Sequence, residues 1–542
     1  MTTAGASATR SGGHVVAEVV EGLGAEVAFG VPGIHSLAIW EALRTSPVRA
    51  IGTRTELAAG FAADGYARTS GRAAPLLLST GPGALNSLTA LMEAASSHVP
   101  VVAISSQLPR ELIGRGRGYL HELPDQLAVF APVVKHAVRA QSANAIAEVM
   151  VEAWRIALTP PSGPVYIEIP VDVLTEEAPA THIGTLGEQP IPPLLPESDL
   201  DAAASLLNEA QRAVIWAGGG VLRSAAAQEL RAVAELLDAP VATTYMAKGA
   251  LADDHPLAAG CGCDEAAFQE LLAGADVVLC VGTELGAETT GQYKLRFSGR
   301  LIQIDAAAER VGTTYPALAL IGDAKATLNA LLERLEPHPR TDAREQVARL
   351  RARIRAGLNA QQCDLELGLL AAIETALPTD AITTWDMTIL GYWAAPHMRV
   401  IGDQQFLYPL GSGTLGYAWP AAIGASVANP DRTVLAVVGD GGLQYALAEL
   451  ATAAQDSVAA KLLVIDDGGY GILREYQLAA FGETTAVDLV QPDFGAIAEA
   501  FGIPVRAGSP ARLGEHLDWA LSRPGPAMVV IQAVLKAAQP TT

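Results

Sequence analysis

The segment Val434–Gly442 (VLAVVGDGG) sets one carboxylate, Asp440, among glycines directly behind five apolar residues. The apolar run reads as a strand, and Gly439-Asp440-Gly441-Gly442 as a turn into a helix from Leu443 to about Gln455. Glycines permit the tight turn and let a ligand approach the backbone, while a helix start offers unpaired amides to an anion. On its own this pattern is equally an ordinary strand–turn–helix junction. Twenty-four residues after Gly441, a second strand, Lys461–Ile465, ends in Asp466-Asp467-Gly468-Gly469-Tyr470-Gly471. Two carboxylates and a glycine-rich turn at the strand ends of one sheet make an oxygen-rich, anion-accepting crevice. Hard oxygen ligands suit Mg²⁺ or Ca²⁺, and Mg²⁺ usually binds through one or two carboxylates plus substrate phosphates. Such a metal would also screen a diphosphate from an acidic protein.

Further polar groups lie in the first third of the chain. Glu56 follows Thr53-Arg54-Thr55 and opens a helix-like stretch; read alone, it is a first-turn carboxylate favoured by the helix dipole. His35 follows Val31-Pro32-Gly33-Ile34 and reads either as a helix-start residue or as a group facing a ligand. His121-Glu122, in a loop with Arg115 and Arg117, is open between a solvated surface pair and a pocket wall. A pocket-facing Glu122 would favour a cationic or hydrogen-bonding substrate tail. Cys261-Gly-Cys263 lacks a second cysteine pair or a suitably spaced histidine, so small core or loop residues are expected there rather than a metal site.

The elements that must carry these residues alternate. Short apolar runs such as Glu26–Gly30, Pro75–Leu78, Val99–Ile104 and Val165–Ile169 are interleaved with Ala/Leu/Glu stretches of helical period. That is the pattern of βα units with buried parallel strands, an α/β fold. A length of 542 residues implies about three domains. Proline-rich Gly184–Ser198 and Glu336–Arg340 read as linkers, dividing the chain into 1–180, 195–335 and 355–542. Half the residues are hydrophobic and 17% charged, enough for packed cores. Lys plus Arg number 36 against 58 Asp plus Glu, a net charge of −22 that argues against nucleic acid or anionic membrane as partners. Four cysteines make no disulfide framework, Met1 to Gly13 has no basic start followed by an apolar run, and no apolar run spans a bilayer. A cytoplasmic enzyme is expected.

With the spacing of Gly439-Asp440-Gly441 and Asp466-Asp467 in view, the sequence resembles the thiamine diphosphate (ThDP) enzymes, whose signature ends in Asn-Asn where this chain has Asp-Asp. The resemblance implies that Asp440, the Asp467 side chain and the Gly469 carbonyl ligate Mg²⁺. Arg54-Thr55-Glu56, running into Phe61–Tyr66, is similar to the Arg-His-Glu segment of the acetolactate synthase, pyruvate oxidase and benzoylformate decarboxylase group, with Thr55 replacing His. In that group the glutamate hydrogen-bonds N1′ of the aminopyrimidine, so that C2 of the thiazolium becomes an ylide. Gly30-Val31-Pro32-Gly33 and Ser79 to Asn86 resemble the loops around the pyrimidine. Gly411–Gly416 resembles the segment in which the Gly413 carbonyl meets the 4′-amino group and Leu415 props the cofactor into its bent shape. Thr388, Ile389 and Leu390 match the diphosphate-side loop, and the resemblance adds Gly439, Gly441, Gly442, Tyr470, Gly471 and Ile472 to the cofactor contacts.

The implied architecture is a pyrimidine-binding domain, a Rossmann-like middle domain and a diphosphate-binding domain. A homodimer or dimer of dimers (a homotetramer) is implied too, with active sites between subunits. Ala213–Gly220 and Leu301–Asp305 have the Rossmann-like pattern, but the stretch after Gly282 lacks the Arg-Phe-Asp-Asp-Arg of FAD-binding acetolactate synthases, so no FAD is expected. His35 is similar to a residue of benzaldehyde lyase, and the His121-Glu122 loop to 5-guanidino-2-oxopentanoate decarboxylase; acetolactate synthases have Phe-Gln there. The implied catalytic group is Glu56, His35, His121 and Glu122, and the implied substrate a 2-oxo acid or aldehyde. The first expectation is a lyase that decarboxylates a 2-oxo acid through an enamine. The alternatives are a carboligase or aldehyde lyase, and a non-catalytic scaffold.

Overall fold

The computed structural model describes residues 10–178, 195–338 and 342–541. Most of Gly184–Ser198 and part of Glu336–Arg340, the expected linkers, lie outside them. The fold is α/β, built on three six-stranded parallel sheets. The first contains β1 (Val27–Gly30), β2 (Arg49–Gly52), β3 (Ala74–Leu78), β4 (Val101–Gln107), β5 (His136–Arg139) and β6 (Val165–Pro170), ordered β2-β1-β3-β4-β6-β5. The second contains β7 (Ala213–Ala217), β8 (Val241–Thr243), β9 (Ala258–Gly260), β10 (Val277–Val281), β11 (Arg300–Asp305) and β12 (Leu318–Ile321). Its order, β12-β11-β10-β7-β8-β9, is the Rossmann arrangement of two three-stranded halves meeting at β7 and β10. The third contains β13 (Ile382–Trp385), β14 (Phe406–Leu407), β15 (Val434–Gly439), β16 (Lys461–Asp466), β17 (Val505–Gly508) and β18 (Ala527–Gln532). Its order, β14-β13-β15-β16-β18-β17, repeats that of the first sheet strand for strand.

In such sheets the connections leave in opposite directions from the two strands where the order reverses, and a crevice opens at their carboxyl ends. That point lies between β1 and β3 in the first sheet and between β13 and β15 in the third. The loops after β1 and β3 carry Pro32 to His35 and Ser79 to Asn86; those after β13 and β15 carry Asp386 to Leu390 and Gly439 to Gly442. Central strands are buried on both faces, as in Leu76, Leu77 and Leu78 or Leu435 to Val438, so their sequence is continuously apolar rather than alternating.

Two sequence expectations are corrected. The expected helix from Leu443 to Gln455 is broken: a short helix Asp440–Leu443 is followed by tight turns and then by Glu449–Gln455. Three-residue hydrogen bonds such as Tyr445 N–H to Gly442 O and Glu449 N–H to Ala446 O replace the helical ladder there. The expected strand at Val99 begins only at Val101, because Pro100 has no N–H to give a ladder.

The chain forms two compact units that do not follow its linear order. Gly411–Asn429 and Ala446–Val458, from the last third of the sequence, belong to the unit built on the first sheet. The helix Ala418–Ala428 packs there against the helix Glu56–Ser70 with almost no side chain between their backbones. A Cβ on Gly65 would fall inside the van der Waals shell of the Ala421 carbonyl oxygen, and one on Gly424 would strike the Ala62 carbonyl oxygen. Among the described residues no helix is long and apolar enough to cross a membrane. Gly424→Ala is expected to destabilise the protein by about 1–3 kcal/mol, seen as a lower midpoint of urea unfolding, with Gly274→Ala, which meets open space, as the control.

Candidate functional site

At the carboxyl ends of β15 and β16 two aspartates converge. Asp440 starts the short helix after β15 and is 1% exposed. Asp467 follows β16, and its backbone N–H donates to Asp440 Oδ1 at 3.3 Å. The remaining oxygens, Asp440 Oδ2 and Asp467 Oδ1, are buried without a hydrogen-bond partner. Burial, and then the charge of Asp467, pushes the Asp440 carboxyl up to about 7. Burial also raises Asp467, with the Arg474 guanidinium opposing it. Two buried carboxylates with idle oxygens are a costly arrangement unless a cation completes it. Asp466 differs: its Oδ1 accepts the Gly468 N–H at 3.2 Å and so closes the turn. Of the Asp-Asp pair, Asp467 is the one with an oxygen to offer.

Glycines around the two aspartates leave a cradle that side chains would fill. A Cβ on Gly441 would sit 2.8 Å from the Tyr470 ring and 3.1 Å from the Gly469 carbonyl oxygen, which brings that carbonyl to the Gly-Asp-Gly turn. A Cβ on Gly439 would lie 2.9 Å from Thr388 Oγ1, and Cβ atoms on Gly442 and Gly471 would strike the carboxylates of Asp386 and Asp467. Ile389 and Leu390 point their side chains into the core of the third sheet, and half-buried Ile472 packs against that core, leaving main chain as the polar part of these turns. Among the described residues no group of three or more His, Cys, Asp or Glu side chains could hold a metal. An ion at this pair would therefore draw its remaining oxygens from a carbonyl such as that of Gly469 and from a ligand, the coordination typical of Mg²⁺ on a diphosphate.

The second cluster belongs to the first sheet. Thr55 adopts extended backbone and its hydroxyl accepts the Ala58 N–H at 3.2 Å, capping the helix Glu56–Ser70. The cap explains a threonine at this position and makes Glu56 the first helical residue. Asn86 Nδ2 donates to Glu56 Oε2 at 3.2 Å. The other oxygen, Oε1, lies 3.1 Å from where a Gly83 Cβ would be. Ser79 touches the same positions, since a Cβ on Gly33 would meet its hydroxyl and one on Gly83 its Cβ at 3.1 Å. Pro32 beside Gly33 is exposed.

His35, in a short turn Ile34–Ser36, and His121 face each other with ring centroids 5.2 Å apart. The Nδ1 atom of each is buried without a partner. Burial, then the neighbouring His121, lowers the pKa of His35, so its imidazole is neutral near pH 7. His121 has φ +72, a left-handed backbone rare for a residue with a side chain, and packs on Gly81, whose Cβ would lie 2.8 Å from that of His121.

Glu122 takes a place the sequence did not foresee. Its carboxylate accepts N–H groups from Gly116 (2.7 Å), Arg117 (3.3 Å), Gly118 (2.7 Å) and Tyr119 (3.1 Å). Gly114, Gly116 and Gly118 all have φ between +62 and +71, so successive amides turn inward into an anion-holding nest. Desolvation is the largest single influence and would raise this carboxyl, but the four amide donors together outweigh it and hold it below the usual range. Left open in the sequence between a surface pair and a pocket wall, the Glu122 carboxylate accepts the amides of its own loop.

Gly413 (φ +68) and half-buried Leu415 sit in a loop held by another carboxylate. Fully buried Glu93 accepts the N–H groups of Gly411 (3.3 Å) and Ser412 (2.6 Å) and the Ser412 hydroxyl (2.8 Å). Arg68, paired with Asp64 at 2.7 Å, lies 3.0 Å from Glu93. Gln126 plays a like part under His121: its Oε1 accepts the Gly81 N–H at 2.8 Å, and its Nε2 donates to the Tyr166 hydroxyl at 2.8 Å. Sequence reasoning missed Glu93 and this role of Gln126. The signal for Glu93 was a lone carboxylate in the otherwise apolar helix Leu88–Ser96.

Family models match residues 10–129, 200–331 and 386–531, described as the N-terminal TPP binding domain, central domain and C-terminal TPP binding domain of thiamine pyrophosphate enzymes. The chain is 39% identical over 505 residues to a probable 2-ketoarginine decarboxylase of Pseudomonas aeruginosa, covering 92% of this chain and 89% of that protein. It is 30% identical over 549 residues to the acetolactate synthase isozyme 1 large subunit of Escherichia coli, covering 98% and 96%. It is 32% identical over 535 residues to a probable acetolactate synthase large subunit of Methanocaldococcus jannaschii, covering 94% and 90%. Removing the anion from the glycine nest isolates its contribution: Glu122→Ala is expected to accelerate amide hydrogen exchange at 116–119 by at least about ten-fold, each lost charged hydrogen bond being worth about 1.5–3 kcal/mol, with exchange in β3 and β4 unchanged.

Proposed function

The chain belongs to the thiamine pyrophosphate enzymes, and on that footing we propose that it decarboxylates a 2-oxo acid to an aldehyde with ThDP and Mg²⁺. The observation that carries the reading is the pair of buried carboxylate oxygens without partners, on Asp440 and Asp467, within a glycine cradle at the strand ends of the third sheet. Asp440, Asp467 and the Gly469 carbonyl would hold Mg²⁺, and the turns at Thr388–Leu390, Gly439–Gly442 and Tyr470–Ile472 the diphosphate. When bound, the cofactor supplies a carbon nucleophile and an electron sink for the electrons left by departing CO₂.

The protein's own groups do the rest. Glu56 exchanges a proton at its carboxylate with the pyrimidine ring, and Asn86 Nδ2 keeps that carboxylate aimed. Gly33 and Gly83, lacking side chains, leave room for a flat ring beside Glu56. His35, neutral and buried, and His121 serve as proton donor and acceptor near the reacting carbon. Glu122 acts at one remove, by shaping the loop that presents His121. The decarboxylase reading is favoured over acetolactate formation by His121-Glu122 standing where acetolactate synthases have Phe-Gln. The relative at 39% identity, a probable 2-ketoarginine decarboxylase, supports the same choice.

Carboligation is the second reading, supported by the acetolactate synthase relatives at 30–32% identity. A non-catalytic scaffold would be favoured by Thr55 in place of His and Asp466-Asp467 in place of Asn-Asn, but Thr55 acts as a helix cap and Asp467 retains an oxygen for a metal. The assembly we propose is a homodimer or dimer of dimers, with Glu56 of one copy and Asp440 of another completing each site. Large apolar side chains exposed near both clusters in sequence support it: Ile34 (79%) and Leu120 (71%) in the first unit, Phe481 (80%) and Val490 (97%) in the second. Four buried free cysteines accord with a cytoplasmic enzyme.

Incubation with ThDP, Mg²⁺ and a panel of 2-oxo acids including 2-ketoarginine is expected to release CO₂ and the matching aldehyde in equal amounts. A hydroxyketone in place of aldehyde would establish the carboligase, and no CO₂ from any donor would overturn both readings. Glu56→Gln is expected to lower kcat by about 10²–10⁴-fold with an unchanged circular dichroism spectrum; wild-type turnover would remove Glu56 from its role.

A further inference from the structure

Glu449 has no part in the chemistry described above, yet it is a carboxylate only 1% exposed, on the helix Glu449–Gln455. Its oxygens are fully engaged within the unit of the first sheet. Oε1 accepts the backbone N–H groups of Arg54 (3.0 Å) and Thr55 (3.2 Å). Oε2 accepts the Arg54 N–H at 3.2 Å and the Thr452 hydroxyl at 2.5 Å. The Arg54 side chain lies along the same helix, with Nη1 3.3 Å from Thr452 Oγ1 and Nη2 2.9 Å from Gln455 Oε1. The Thr53 hydroxyl donates to the Thr55 carbonyl at 2.9 Å. The two residues that enter Glu56 are thus gripped through their N–H groups by one carboxylate and through a carbonyl by a hydroxyl.

We infer that Glu449 is a positioning residue that fixes the backbone at Arg54–Thr55 and so sets the direction of the Glu56 carboxylate. The inference rests on the reading of Glu56 as the group that exchanges a proton with the cofactor. Packing alone does not call for a carboxylate here. Burial pushes the Glu449 carboxyl up, and an apolar side chain of similar size would avoid that penalty. What the carboxylate supplies is a charged acceptor for two consecutive backbone N–H groups directly ahead of the helix cap. Those amides precede the first intrahelical bond, so no helical carbonyl is available to them. Without Glu449 they would take up water and the capped turn would loosen, letting Glu56 swing away from Asn86 and Gly83. General acid–base catalysis depends steeply on such distances.

Glu449→Met tests this, because a side chain of similar size offers the Arg54 and Thr55 N–H groups no acceptor oxygen. In the protein alone, hydrogen exchange at residues 53–56 is expected to accelerate about ten-fold or more. With cofactor supplied, ThDP affinity by fluorescence titration should stay within about three-fold, while exchange of the cofactor C2 proton and kcat both fall by about 10–100-fold and KM for the 2-oxo acid holds. Thr452→Val, which removes one donor to Glu449 and keeps both backbone bonds, should fold normally and show the same pattern at about three-fold. Wild-type exchange rates at 53–56 and at C2 in both variants would overturn the inference. So would a loss of thermal stability accompanied by wild-type C2 exchange, which would make Glu449 a structural residue only. Failure of the wild-type protein to bind ThDP would sink the proposed function instead, and the exchange measurement on the protein alone would still decide whether Glu449 fixes Arg54–Thr55.

Discussion

Three carboxylates hold loops of this chain by accepting their backbone N–H groups. Glu122 gathers four amides of its own loop, Glu93 holds Gly411 and Ser412, and Glu449 holds Arg54 and Thr55. Each solves the same problem. Such a loop has backbone N–H groups with no ladder or helix to receive them. A carboxylate can accept several at once, and the bonds are stronger for its charge. The loops gain fixed shapes without regular secondary structure.

The sheets decide where those loops lie. The first and third share one strand order, and in each the order reverses between the first and third strands in sequence. Parallel strands all point their carboxyl ends the same way, so the loops that leave there gather at one edge. In the third sheet this assembles Asp386, Gly439 and Asp440, with Asp467 arriving from the next strand. In the first it assembles Gly33, His35, Ser79 and Gly83, and Glu56 arrives at the head of the helix after β2. The middle sheet has a different order, and none of the aspartates or the glutamate of the site lies in it.

Much of this was legible in the sequence because strand cores are continuous apolar runs and turns need glycine. Val434–Val438 and Lys461–Ile465 fall within strands, and Asp440 and Asp467 converge where their spacing implied. What was not legible depends on contacts between distant segments. The break after Leu443 leaves no proline or glycine signal, since its turns are made by Gln444, Tyr445, Ala446, Leu447 and Ala448. The roles of Glu93 and Glu449 depend on amides more than 300 residues away in the chain. The amides that Glu122 gathers come from a loop with left-handed glycines at 114, 116 and 118, a backbone shape that their one-letter spacing does not announce. Thr55, a departure from the motif of related enzymes, made sense only once the helix it caps was placed.

The close pairing of the helix Glu56–Ser70 with Ala418–Ala428 bears on how the protein is made. Ribosomes release the amino-terminal strands long before the helix that covers them, and small residues such as Gly65 and Ala62 leave on that nascent surface a shallow slot with nothing yet to fill it. The helix Glu56–Ser70 must therefore wait, uncovered on that side, until Ala418–Ala428 has been made. During that interval the groove is exposed to any passing apolar segment.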